Sequence, residues 1–130
     1  MVMNKKPVIL VVDDESDMCE MLVTILYEEG YVTDIVNRGK DAVKKVKDGG
    51  VDFVMLDIMM PEMDGIETLR QIKAVRHDIP VVMITAYATL KTAQESMRLG
   101  AYDYITKPFN LGCVKEVIKQ GLEEQQYTNA

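Results

Sequence analysis

Five short apolar runs, spaced by longer amphipathic stretches, constrain the fold of this chain more than any other feature. The runs are VILVV (8–12), YVTDIV (31–36), DFVML (52–56), VVMIT (81–85) and YDYIT (102–106). Short runs that stay apolar at successive positions suit strands covered on both faces, as in a parallel sheet. YVTDIV alternates and reads as an edge strand; YDYIT also alternates, with Tyr104 facing opposite to Ile105. The segments between carry a helical period. Met18, Met21, Leu22, Ile25 and Leu26 share one face of a helix over 15–29, with Asp14 or Ser16 as cap and Gly30 beyond it. A second helix over 39–48 turns Ala42, Val43 and Val46 inward, and a third over 65–75 runs through Ile66, Leu69 and Ile72 with Asp64 as cap. A fourth over about 88–99 runs through Leu90, Ala93 and Met97, and a fifth over 111–125 through Leu111, Val114, Val117, Ile118 and Leu122. Five βα units joined by right-handed crossovers give an open, doubly wound α/β sheet with helices on both faces.

A chain of 130 residues suits one domain, here 1–125, with 126–130 as a tail or the start of a linker. That length buries enough surface to fold without a metal or disulfide staple. A net charge of −6 argues against direct nucleic-acid binding, which wants a basic patch. No apolar run is long enough to span a membrane. VILVV is also too short for a signal-peptide core and passes straight into acidic residues, so the expected location is the cytoplasm. Cys19 and Cys113 lack CxxC spacing and are expected as two free thiols. His77, the only histidine, sits in a loop and cannot build a zinc site alone.

The acids fall where such a sheet presents ligands, beyond the carboxyl ends of its strands. Asp13 and Asp14 end the first strand, Asp57 the third and Thr85 the fourth; Lys107 follows the fifth. If the first and third strands are neighbours, three carboxylates converge. Their repulsion is relieved by a raised pKa or a bound cation. Oxygen-only ligands suit a hard cation, Mg²⁺ best, with an open position for a phosphate oxygen. Lys107 adds a point charge, and Thr85 a hydroxyl beside the Ala86 backbone amide. That set matches the charge of a phosphoryl-transfer transition state, with Asp57 as nucleophile.

VVDDE (11–15), LDIMMPEMDG (56–65), ITA (84–86) and YITKPF (104–109) together resemble the receiver domain of two-component response regulators. The resemblance spans nearly the whole chain and is specific through its joint spacing. It implies a flavodoxin-like sheet of order 2-1-3-4-5 with five helices, an order borrowed from the family rather than read from the periodicity. It implies that Asp57 accepts phosphate from a sensor histidine kinase, and that Asp13, Asp14, Asp57 and the Met59 carbonyl hold Mg²⁺. Lys107 and Thr85 would bind the phosphoryl group, Tyr104 would rotate inward, and the Lys107–Pro108 peptide would be cis. The catalysis implied is self-catalysed phosphoryl transfer and autodephosphorylation, not metabolic chemistry. The implied output is a downstream effector or the protein's own output domain, with a phosphorylation-dependent homodimer through helix four, strand five and helix five.

Three other functions fit the residues less well. An aspartyl-nucleophile phosphatase wants a second acid two residues after the nucleophile, where this chain has Met59. A flavin carrier on the same sheet needs glycines or hydroxyls in the first loop, which here reads DDES. An unphosphorylated interaction module would have no use for the complete acid, threonine and lysine set.

Overall fold

Strand alternation sorts the apolar side chains into two cores, one on each face of a five-stranded parallel sheet. The computed structural model describes residues 6–59 and 63–128, with the side chains of Ser16 and 125–128 outside that description. Met60, Pro61 and Glu62 of the 56–65 motif, and the last two residues of the expected tail, also lie outside the described residues. The elements run β1 (Val8–Val12), α1 (Ser16–Glu28), β2 (Val32–Val36), α2 (Gly39–Asp48), β3 (Phe53–Asp57), α3 (Gly65–Val75), β4 (Val81–Thr85), α4 (Leu90–Arg98), β5 (Asp103–Thr106) and α5 (Leu111–Thr128). The strand order is β2-β1-β3-β4-β5, with every pairing parallel. The chain therefore reverses direction across the sheet between β1 and β3, which is where a ligand crevice opens.

Ile9, Val11, Phe53, Met55, Val82, Ile84 and Ile105 face α1 and α5. Their neighbours Leu10, Val12, Val54, Leu56, Val81 and Met83 face α2 and α3. β3 and β4 are buried along their whole length, whereas β2 is an edge strand with Val32 and Ile35 exposed. α2 and α3 coincide with the expected spans, and Asp64 caps α3 by accepting from the Glu67 amide at 2.8 Å.

Four expectations need correction. α1 is capped by neither Asp14 nor Ser16: its N-cap is Glu15, whose amide donates instead to Asp13 Oδ1 at 2.9 Å. The buried side of α1 includes Cys19, while Met21 faces solvent, because the inward stripe is turned by about one residue. In α4 the expected apolar face points outward, with Leu90 74% and Met97 50% exposed. Of the expected face only Ala93 is half-buried; beside it Thr92 and Ser96, small and polar, turn inward, and Leu99 packs just beyond the helix end. Hydrogen bonds anchor that helix: Thr89 and Thr92 form a reciprocal capping box, and Ser96 Oγ donates to the Thr92 carbonyl at 2.7 Å. α5 runs to Thr128, past the expected end at 125.

Gly121, midway along α5, lets that helix approach β3. A Cβ there would lie 2.6 Å from Phe53 Cε2, and Phe53 is fully buried. Gly→Ala at an open helix position gains up to ~1 kcal/mol. Gly121→Ala should instead lower the urea-unfolding free energy by about 1–3 kcal/mol through overpacking; a gain in stability would show that the contact is soft.

Candidate functional site

Register and alternation deliver three charged side chains to one spot. Val12 pairs with Leu56, so Asp13 and Asp57, the next residues, stand level on adjacent strands. Both follow the parity of Val11 and Met55 and lean toward the α1–α5 face. Asp57 is level with Ile84, and Ile84 with Ile105. Lys107 thus starts two residues above that level on the same face as Ile105, and its long stem reaches back over β4. Its Nζ lies 3.0 Å from Asp13 Oδ2, 3.3 Å from Asp57 Oδ2 and 3.6 Å from Glu15 Oε1. Asp13, Asp57 and the Lys107 side chain are all buried or nearly so, whereas Asp14 and Glu15 are exposed. Asp57 is held from its other oxygen too, since Oδ1 accepts from the Met59 amide at 3.0 Å.

Burial sets the proton balance. It pushes the Asp57 carboxyl up to about 6; the Met59 amide opposes this, the Asp13 charge adds to it, and Lys107 opposes it. Burial pulls the Lys107 ammonium down, but hydrogen bonding and charge from Asp13 and Asp57 outweigh that and leave it raised. Lys107 therefore stays charged at neutral pH. Beside it, Cys19 Sγ lies 3.7 Å from the Asp13 carbonyl oxygen. Burial first, then Asp13, pushes its thiol up to about 11, which leaves it protonated and a poor nucleophile or ligand.

Asp13, Asp14 and Asp57 each offer a carboxylate oxygen, all within 4.8 Å of one another. These donors are hard oxygens, one of the acids is exposed, and a cleft beside Asp13 and Asp14 is lined also by Glu20 and Asn37. The set fits a hard divalent cation that keeps part of its water shell, as Mg²⁺ does.

The remaining expected residues surround the cluster. Thr85 is fully buried at the end of β4, and its hydroxyl oxygen accepts from the Tyr87 amide at 3.0 Å. Ala86 is exposed just beyond it. Tyr104 is half-buried on the α2–α3 face, and its hydroxyl shares a 2.7 Å hydrogen bond with Thr92 Oγ1. The contacts seen at Thr85 and Tyr104 thus lie outside the acid cluster. Met59 is 56% exposed, and the Lys107–Pro108 peptide is cis. Two participants escaped the sequence reading. Glu15 reaches Lys107, a role hidden by the adjacent acid pair. Thr92 joins α4 to Tyr104, and its only signal is the T-x-x-T spacing with Thr89.

A family model described as response regulator receiver domain matches residues 9–119. Sporulation initiation phosphotransferase F of Bacillus subtilis is 38% identical over 92% of this chain and 95% of its own length. Regulatory protein AtoC of Escherichia coli is 40% identical over 90% of this chain but 25% of its own length. The chain spans about a quarter of the length of AtoC and of the ZraR transcriptional regulators it also matches. A CheY-like response regulator receiver domain from Methanospirillum hungatei superposes with a TM-score of 0.92 at 31% identity, over 95% of this chain and 99% of that one.

The raised Asp57 value carries a stability consequence. Its folded pKa of about 6 exceeds the ordinary 3.8, so between those values the folded state holds the extra proton and stability falls as pH rises. Asp57→Asn should therefore melt higher than wild type at pH 7. The gap should close progressively as pH drops from about 6 toward 3.8. A gap that does not change with pH would show that Asp57 titrates normally.

Proposed function

Because the chain belongs to the response regulator receiver family of two-component signalling, we propose that it takes a phosphoryl group on Asp57 and uses it to switch a binding surface. The observation that carries this reading is the Lys107 ammonium held between the buried carboxylates of Asp13 and Asp57. The donor is the phosphohistidine of a sensor histidine kinase in the cytoplasm. An Asp57 oxygen forms the new O–P bond as the P–N bond to the donor imidazole breaks, and the nitrogen keeps that electron pair. The Met59 amide and Lys107 orient the Asp57 carboxylate for attack. Asp13, Asp14, Asp57 and the Met59 carbonyl would hold Mg²⁺, which would supply positive charge to the phosphoryl oxygens during transfer. Lys107 provides a second positive partner, and Thr85 with the Ala86 amide provides hydrogen bonds.

The phosphoryl group brings more negative charge and more acceptor oxygens than the carboxylate it modifies. Thr85 leaves the Tyr87 amide for a phosphoryl oxygen, and Tyr104 leaves Thr92 and turns inward. Only such contacts, made in one state and not the other, shift the equilibrium. The output surface is α4, β5 and α5, where exposed Leu90 and Met97 stand ready to be covered. Its partner is a second phosphorylated copy, a downstream effector or an attached output domain; the domain itself does not contact nucleic acid.

Acetyl phosphate with Mg²⁺ should add one phosphoryl mass to wild type and none to Asp57→Asn, read by intact-protein mass spectrometry. Equal uptake by the variant would overturn the assignment. Met59 and Tyr87, both bulky and exposed beside the site, shield the acyl phosphate from water. The Met59→Asn, Tyr87→Glu double variant should then lose its phosphate several-fold faster; an unchanged lifetime would refute the shield.

A further inference from the structure

α3 begins directly behind the peptide that joins Asp57 to Ile58. The Gly65 amide donates to the Ile58 carbonyl at 2.8 Å. A Cβ on Gly65 would lie 2.5 Å from Ile58 Cα and 3.0 Å from the Asp57 carbonyl carbon, with the Asp57 carbonyl oxygen closer still. All three are backbone atoms, so no rotamer change relieves the collision. Gly65 lies within the first turn of a right-handed helix, so it is required for close approach and not for an unusual backbone conformation. That turn is itself pinned: Asp64 accepts from Glu67, and fully buried Thr68 donates its hydroxyl to the Asp64 carbonyl at 2.8 Å. On the opposite side the Ile58 amide donates to the Ile84 carbonyl at 3.3 Å. The segment from Asp57 to Met59 is thus clamped between β4 and the start of α3.

We propose that Gly65 is a positioning residue for the cation site. Its contact sets where the Asp57 carboxylate and the Met59 carbonyl stand relative to Asp13 and Asp14. A side chain at position 65 pushes the Asp57–Ile58 peptide away and spreads the oxygens that converge on the cation. Groups that orient metal ligands without touching the metal commonly change affinity by about 10–100-fold when altered. The inference rests on the reading that these acids bind Mg²⁺.

Calorimetric titration of the 130-residue chain with MgCl₂ tests it. Gly65→Ala should bind Mg²⁺ about tenfold more weakly than wild type. Gly121→Ala, which strains the far end of β3 through Phe53, should bind as wild type does despite its lower stability. That contrast separates positioning from general loss of fold. Wild-type affinity in folded Gly65→Ala would overturn the inference and leave the functional reading standing. Wild type that binds no Mg²⁺ would overturn both.

Linkage supplies a second test that needs no variant, since a seat that improves Mg²⁺ binding must itself be tightened by Mg²⁺. Saturating MgCl₂ should slow hydrogen exchange at the Gly65 amide more than at the Ala42 amide, which bonds the Arg38 carbonyl in the first turn of α2 away from the site. Equal slowing at both would refute the coupling.

Discussion

The ammonium of Lys107, lodged between Asp13 and Asp57, is the interaction on which the site depends. Two carboxylates brought side by side at the buried end of a sheet repel each other and lose their hydration. One cation bridging both makes the arrangement tolerable, and Glu15 at the rim adds a third, exposed partner. Removing the Lys107 charge would strand two buried carboxylates, and breaking such a buried pair on its one-cation side typically costs about 3–5 kcal/mol. The raised Asp57 value shows that the compensation is incomplete. The cluster therefore keeps an appetite for further positive charge, and exposed Asp14 gives that charge a way in.

The fold builds this cluster with few special devices. Parallel pairing places Asp13 and Asp57 level on neighbouring strands, and the two-residue period turns both to the face that Lys107 shares. Thr85 ends β4 on the other parity, with Met83 and Val81, and so looks toward the face that holds Tyr104. The same alternation separates the charged cluster from Thr85 and Tyr104. Thr92 closes the α4 capping box and also bonds Tyr104. One hydroxyl thus joins the start of α4 to β5 through Tyr104.

Much of this was legible in the residues. Strands buried on both faces, such as β3 and β4, announce themselves as unbroken apolar runs. α2 and α3 carry strong apolar periods, and α3 an evident Asp64 cap. The convergence of Asp13, Asp57 and Lys107 follows once the strand order is known, but the order came from the family resemblance, since periodicity does not say which strands are neighbours. α4 misled because helical period identifies an apolar face and not what covers it; Leu90 and Met97 face solvent while Thr92 and Ser96 turn inward. The role of Gly65 was hidden for a related reason. An Asp-Gly pair before a helix reads as a turn, and only coordinates reveal backbone pressed against it.

The most direct test is the Mg²⁺ affinity of Lys107→Met, which keeps the bulk of the side chain and removes its charge. If the ammonium neutralises the acids in the way the geometry shows, its loss leaves them richer in negative charge, and the variant should bind Mg²⁺ more tightly than wild type. Affinity that is unchanged or weaker would contradict the claim that the Lys107 bridge governs the charge of the site.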